Sequence, residues 1–136
     1  MPFVLDASIV HDWALDEGHA TAEVVRERLA VDTALSPSLW WFEVRNGLVM
    51  AERRGRATED YSASFLRQLA QFPVAIDAPP DEAGVMALAR RHRLTVYDAA
   101  YLELAVRMGL PLATLDKALA AAARAEGVEI VGDPAA

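Results

Sequence analysis

The sequence predicts an α/β fold: a central, mainly parallel sheet covered by helices on both faces, a three-layer α/β/α sandwich. Three observations carry this. Short, unbroken apolar runs alternate with longer stretches of helical periodicity, and strands buried on both faces read as continuous apolar runs. The chain has 136 residues, 54% hydrophobic and 24% charged, enough for one buried core and suited to a single domain over 1–136. No internal repeat, linker or low-complexity stretch divides it.

From the amino terminus, Phe3-Val4-Leu5 is an apolar run ended by Asp6, after which Ala7-Ser8-Ile9-Val10 turns to helical spacing: a buried strand entering a helix. Thr21 to Val31 is amphipathic, with Val24, Val25 and Leu29 among charged neighbours. Thr33-Ala34-Leu35 is the second strand. Pro37 fits the first turn of a long helix running to about Arg54, and Gly55 stops it. Thr58-Glu59-Asp60-Tyr61 caps the next helix, whose apolar face is Phe65, Leu66 and Leu69. Phe72 to Ile76 is a strand closed by Asp77-Ala78-Pro79-Pro80. There follow helices over Asp81 to Arg91 and Asp98 to Met108, a strand Leu112-Ala113-Thr114, a helix Lys117 to Ala125 and a strand Val128 to Val131. Gly132 to Ala136 reads as a short frayed tail.

Composition narrows the function classes. Without cysteine there is no disulfide scaffold, thiol catalysis or thiolate zinc site, and a reduced, cytoplasmic compartment fits. No apolar run exceeds the six residues Ala118 to Ala123, and no basic segment precedes an apolar one at the amino terminus, so neither a membrane partner nor an export signal is expected. With 20 acidic against 13 basic groups the net charge is −7, which taken alone argues against a nucleic-acid partner. The basic groups, however, are nearly all Arg and cluster at Arg53-Arg54-Gly55-Arg56 and Arg90-Arg91-His92-Arg93. The guanidinium fork suits phosphate, although cations at helix carboxy termini also simply complement the dipole. Lys117, directly after Asp116, is a further candidate phosphate contact. His11, His19 and His92 lack metal-ligand spacing and read as surface or capping groups.

In an open parallel sheet functional groups gather at the carboxy ends of strands, so acids that end strands come first. Asp6 ends the first strand and Asp116 follows Leu112-Ala113-Thr114-Leu115. Glu43 lies within Leu39-Trp40-Trp41-Phe42-Glu43-Val44, and Asp98 opens a helix whose same-face neighbours Tyr101, Leu102 and Ala105 are apolar or aromatic. Singly, each has an ordinary reading: Asp6, Asp98 and Asp116 as helix caps, Glu43 as the partner of Arg45 or another Arg. In one pocket they mean more. Carboxylates about 5 Å apart repel by roughly 3 kcal/mol per pair at an effective dielectric of 20, and four together by on the order of 20 kcal/mol. That exceeds the ~5–15 kcal/mol stability of a domain, so such a site must hold cations or protons. Hard oxygen donors without His or Cys favour magnesium or manganese, and paired ions of this kind activate water for phosphodiester hydrolysis.

Four segments in order, Val4-Leu5-Asp6-Ala7-Ser8, Glu43-Val44-Arg45-Asn46-Gly47-Leu48, Tyr97-Asp98-Ala99-Ala100-Tyr101-Leu102-Glu103-Leu104-Ala105 and Leu112-Ala113-Thr114-Leu115-Asp116, resemble the PIN-domain nucleases, and within them the VapC-type toxins of bacterial type II toxin–antitoxin pairs. The resemblance covers essentially the whole chain. It implies a Mg2+- or Mn2+-dependent endoribonuclease whose catalytic and metal-binding acids map onto Asp6, Glu43, Asp98 and Asp116. It casts Ser8 and Thr114 as hydroxyls that orient those carboxylates; Asn46, three residues beyond Glu43 on one helix face, can hydrogen-bond at the pocket wall. It also implies a VapB-type antitoxin partner, a structured RNA substrate such as tRNA or rRNA, and a homodimer that assembles with the antitoxin into a larger complex. Trp40, Trp41 and Phe42 make the third long helix apolar nearly all round, so they face either the core or another chain. Two other classes compete: a catalytically silent PIN-like binding module and an acid-pocket signalling domain of receiver type. The latter needs adjacent acids after the first strand, and here Ala7 follows Asp6.

Overall fold

The computed structural model describes residues 1–132, so the expected tail beyond Gly132 lies outside the described residues. Within them the chain runs β1 (Phe3–Leu5), α1 (Ala7–Leu15), α2 (Ala20–Arg28), β2 (Ala34–Ser36), α3 (Leu39–Arg53), α4 (Glu59–Leu69), β3 (Val74–Ile76), α5 (Glu82–His92), α6 (Val96–Met108), β4 (Leu112–Ala113) and α7 (Lys117–Ala125). The strands lie in the order β3-β2-β1-β4, and every pairing is parallel. Val4 is central, opposite Leu35 of β2 on one side and Leu112 of β4 on the other.

This order accounts for the layers. The chain steps one way from β1 to β2 to β3, then crosses back over the sheet to β4. Right-handed crossovers therefore put α1 to α4 on one face and α5 and α6 on the other. The packing agrees: α1 rests on α2 and α3, while α5 and α7 rest on α6, which lies against β1 and β4. The expected three-layer α/β/α sandwich is what forms.

The unbroken apolar character of Phe3-Val4-Leu5 is explained by helices on both faces, since all three side chains are fully removed from solvent. Burying each contributes roughly 1.5–3 kcal/mol, which is how strands of two or three residues hold their places. Ala99, Tyr101, Leu102 and Ala105 of α6 are equally buried. No described helix is long and apolar enough to cross a membrane.

Several boundaries shift by one or two residues: β2 is Ala34–Ser36, β3 begins at Val74, β4 ends at Ala113, and α3 begins at Leu39 with Ser38 at its cap position, leaving Pro37 just outside the helix. Two further differences have a clear physical cause. α6 begins at Val96 rather than Asp98, because the Thr95 hydroxyl accepts the Asp98 N–H at 3.1 Å and caps the helix. Asp98 therefore lies in the first turn with its carboxylate not used as a cap. The expected strand Val128 to Val131 is reduced to one parallel bridge, Leu112 to Ile130. It is tied by the Leu112 N–H to the Glu129 carbonyl at 2.8 Å and the Val131 N–H to the Leu112 carbonyl at 2.9 Å. With only two residues in β4, there is no longer ladder to extend.

Candidate active site

After β1 the chain turns toward β2, and after β4 it turns the opposite way toward Ile130. A crevice opens at the carboxy ends of two neighbouring parallel strands whose connections diverge, and a parallel sheet places ligands there. Asp6 and Ser8 follow β1, and Thr114 and Asp116 follow β4. These four come together directly.

Asp6 occupies the cap position of α1 with extended backbone, φ −81° and ψ 145°, yet its side chain makes no cap hydrogen bond. Instead its Oδ2 accepts the Ser8 hydroxyl at 2.6 Å and the Thr114 hydroxyl at 2.7 Å. Backbone amides fix those hydroxyls in turn: Leu115 N–H donates to Ser8 Oγ at 2.9 Å, and Asp116 N–H to Thr114 Oγ1 at 3.0 Å. With each amide filling a lone pair, each hydroxyl directs its single hydrogen at Asp6. Asp6 Oδ1 is left without a donor among the described residues. The expected roles of Ser8 and Thr114 therefore have a geometric counterpart, and Thr114 itself is buried.

Asp116 is a cap, its Oδ1 accepting the Leu119 N–H at 2.9 Å at the start of α7. That fixes the side chain at the mouth of α7. Among the described residues Glu43 shows no Arg partner: the Arg45 guanidinium lies over the Trp41 ring at 3.9 Å and donates to the Trp41 carbonyl. Glu43 Oε1 instead accepts the hydroxyl of the fully buried Tyr101 at 2.6 Å, which joins α3 to α6. Asn46 is exposed, and among the described residues no hydrogen bond joins it to the acids.

The electrostatics show that the acids face one another. Burial is the largest cause raising the proton affinity of Asp6, with Asp116 adding to it and the Ser8 and Thr114 hydrogen bonds opposing it. Burial also raises Glu43, with Asp6 adding and the Tyr101 hydroxyl opposing. Asp98 is pushed up to about 6 by burial, then by the charges of Asp116, Asp6 and Glu43 in turn. Among the described residues, no three His, Asp or Glu side chains are gathered tightly enough to grip an ion as they stand. Mutual repulsion of a few kcal/mol per close pair favours that spacing. The donor set is all carboxylate and hydroxyl oxygen, with one Asp6 oxygen unspent, and this chemistry fits a hard divalent cation.

His11 and Tyr101 emerge as functional neighbours that sequence reasoning did not assign. His11 is neither a surface nor a capping group: its Nε2 lies 2.9 Å from the Glu43 carbonyl. It occupies space left by Gly47, where a Cβ would stand 2.3 Å from Nε2. The signal was present as a glycine inside an apolar helix, which marks close approach by another group. His92 likewise pairs with Glu126 at 2.6 Å, whereas His19 is exposed before α2, as expected. Of the three aromatics on α3, Trp40 is buried, while Trp41 and Phe42 are 47% and 66% exposed. Both Arg clusters end helices, α3 and α5; Arg53 is ten residues, about 15 Å, along α3 from Glu43.

The PIN domain family model matches residues 3–125. A protein of Mycobacterium tuberculosis named Ribonuclease VapC3 is 35% identical over 124 residues, covering 88% of this chain and 85% of that protein. A protein of the same name from Pyrobaculum aerophilum is 42% identical over 83 residues, 58% of this chain, and the match spans only 63% of that relative's length. Among solved structures, PAE2754 from Pyrobaculum aerophilum superposes with a TM-score of 0.68 at 30% identity, covering 96% of this chain and 84% of the other. FitAcB from Neisseria gonorrhoeae shares the fold, with a TM-score of 0.66 at 15% identity and 97% of each chain covered.

Proposed function

The chain belongs to the PIN-domain family, and from that premise we propose that it is a divalent-metal-dependent endoribonuclease, the toxin of a toxin–antitoxin pair. The observation that carries this is the β1–β4 crevice itself, where burial and the charges of neighbouring acids, Asp116 among them, raise the proton affinity of Asp6, Glu43 and Asp98, with no Lys or Arg ion pair to the four acids among the described residues. Mg2+ or Mn2+ bound there would polarise a phosphodiester and lower the pKa of attacking water. Asp6 and Asp98 are the foremost candidates to hold it, with Glu43 and Asp116 completing the set.

The chain's own residues supply orientation. Ser8 and Thr114 hold Asp6 in one rotamer, the α7 cap holds Asp116, and Tyr101 holds Glu43. Asp98, pushed up to about 6, gives the pocket a place to take up or release a proton. Further parts of this reading are a second copy of the chain meeting the exposed Trp41 and Phe42, and an antitoxin whose carboxy-terminal segment enters a groove of the toxin.

Asp6→Asn and Asp98→Asn test the reading. Each is expected to abolish cleavage of cellular RNA in the presence of Mg2+ or Mn2+ while circular dichroism stays native. An unchanged cleavage rate in either purified variant sinks the proposal.

A further inference from the structure

Beside the acids lies a second cavity, about 440 Å3 in volume, which shares Thr114 and Asp116 as one wall. Its floor is apolar and buried, formed by Ala120, Ile130 and Val131. Its rim carries two cations, Lys117 and Arg124 from α7, beside the Asp116 carboxylate, with His19 and Thr21 across from them at the start of α2. Lys117 and Arg124 are seven residues apart, so they lie on one helical stripe about 10 Å long with Ala120 between them. An apolar shelf bracketed by two cations has the chemistry of a nucleotide seat: a flat base or sugar against the shelf, a phosphate at each end. The volume falls in the range of small-ligand pockets.

Its position says which nucleotide. One end of the stripe, Lys117, is bonded to Asp116 of the acid cluster, so a phosphate held there is continuous with one lying over the carboxylates. We propose that this cavity seats the ribonucleotide next to the scissile bond, with Lys117 and Arg124 on its flanking phosphates and Ala120, Ile130 and Val131 under its base or sugar; this rests on the nuclease reading above. In a chain of net charge −7 the recognition of RNA then begins at this short cationic rim, nearer the acids than the Arg cluster that ends α3.

The test is a binding measurement that needs no cleavage. Isotope-labelled native protein in chelator is titrated with each of the four nucleoside 5′-monophosphates, and separately with inorganic phosphate, while amide resonances are followed. Saturable shifts are expected at Thr21, Ala120 and Val131 with nucleotide but not with phosphate alone. Lys117→Gln, an exposed position at which the fold is not at stake, is expected to weaken nucleotide binding about tenfold and to raise KM for a short RNA more than it lowers kcat. Thr21→Trp, which fills the mouth, should do the same. Shifts that fall elsewhere, that phosphate alone reproduces, or that survive both variants overturn the seat and leave the nuclease reading standing. Shifts at the cavity in a native protein that cleaves no RNA keep the nucleotide seat and remove the nuclease reading. Binding of peptide carboxylates in place of nucleotides overturns it in favour of a protein partner.

Discussion

Asp98 is the residue on which the crowding of charge acts most visibly. Its carboxyl is pushed up to about 6 in the folded chain, against an ordinary value near 3.9 when unfolded. Below the ordinary value both states are protonated and nothing is lost. As pH rises toward about 6 the unfolded state ionises first, so folded-state stability falls across that window. Asp6 and Glu43, raised mainly by burial, act in the same direction. The half-buried Asp32, lowered by the amino terminus and Arg28, and Glu126, lowered by hydrogen bonds from His92 and Arg91, act in the opposite one, so the comparison must be with a variant. In chelator, the melting temperature of Asp98→Asn is expected to decline less between pH 4 and 6 than that of the native protein, and Mn2+ should erase the native decline. Identical slopes in native and variant would show that the repulsion is not felt at Asp98. Tyr101 is the complementary case: Tyr101→Phe removes the only hydrogen bond to Glu43 Oε1 among the described residues and should cost about 1–2 kcal/mol by urea unfolding.

At the scale of elements, the site depends on how α1 and α3 meet. His11 of α1 inserts where Gly47 of α3 has no side chain and reaches the Glu43 carbonyl, so one contact sets the helix that carries Glu43 against the helix that follows Asp6. Gly to Ala inside a helix ordinarily stabilises by about 1 kcal/mol. Here Gly47→Ala is expected to destabilise instead, by roughly 1–3 kcal/mol, because the new Cβ displaces a packed, hydrogen-bonded imidazole. Adding His11→Ala to Gly47→Ala should recover part of that loss in a denaturation series, and a stabilising single variant would mean that the imidazole yields at no cost. The elements themselves were largely readable, because continuous apolar runs, Pro37 just ahead of a helix and Thr58 as a cap are local signals. Where they misled, a neighbour had decided. Thr95, not Asp98, caps α6, since a hydroxyl three residues before the amide was the better-placed acceptor. The last strand shrank to a bridge because its partner β4 offers only two residues.

Over the whole molecule, the net charge of −7 and a proposed RNA substrate are reconciled by location. Divalent ions in the acid crevice would turn its most negative patch into a place that receives phosphate, so RNA binding by the native protein is expected to weaken when chelator removes the metal. Filter-binding in Mg2+ and in chelator measures this, and affinity undiminished by chelator contradicts it. The same whole-molecule view separates two kinds of information. The sequence alone determined the fold class, the order of helices and strands, and four acids standing in motifs of one family, because periodicity, capping and motif spacing are properties of neighbours along the chain. It could not decide that Asp6 rests on a hydroxyl 108 residues away, that Tyr101 rather than an Arg meets Glu43, or that a histidine enters the gap left by a glycine in another helix. Those were settled by the strand order β3-β2-β1-β4, which brings the ends of β1 and β4 side by side and packs α1, α3 and α6 around them. Contacts between residues so far apart along the chain exist only once the sheet and its crossovers have formed.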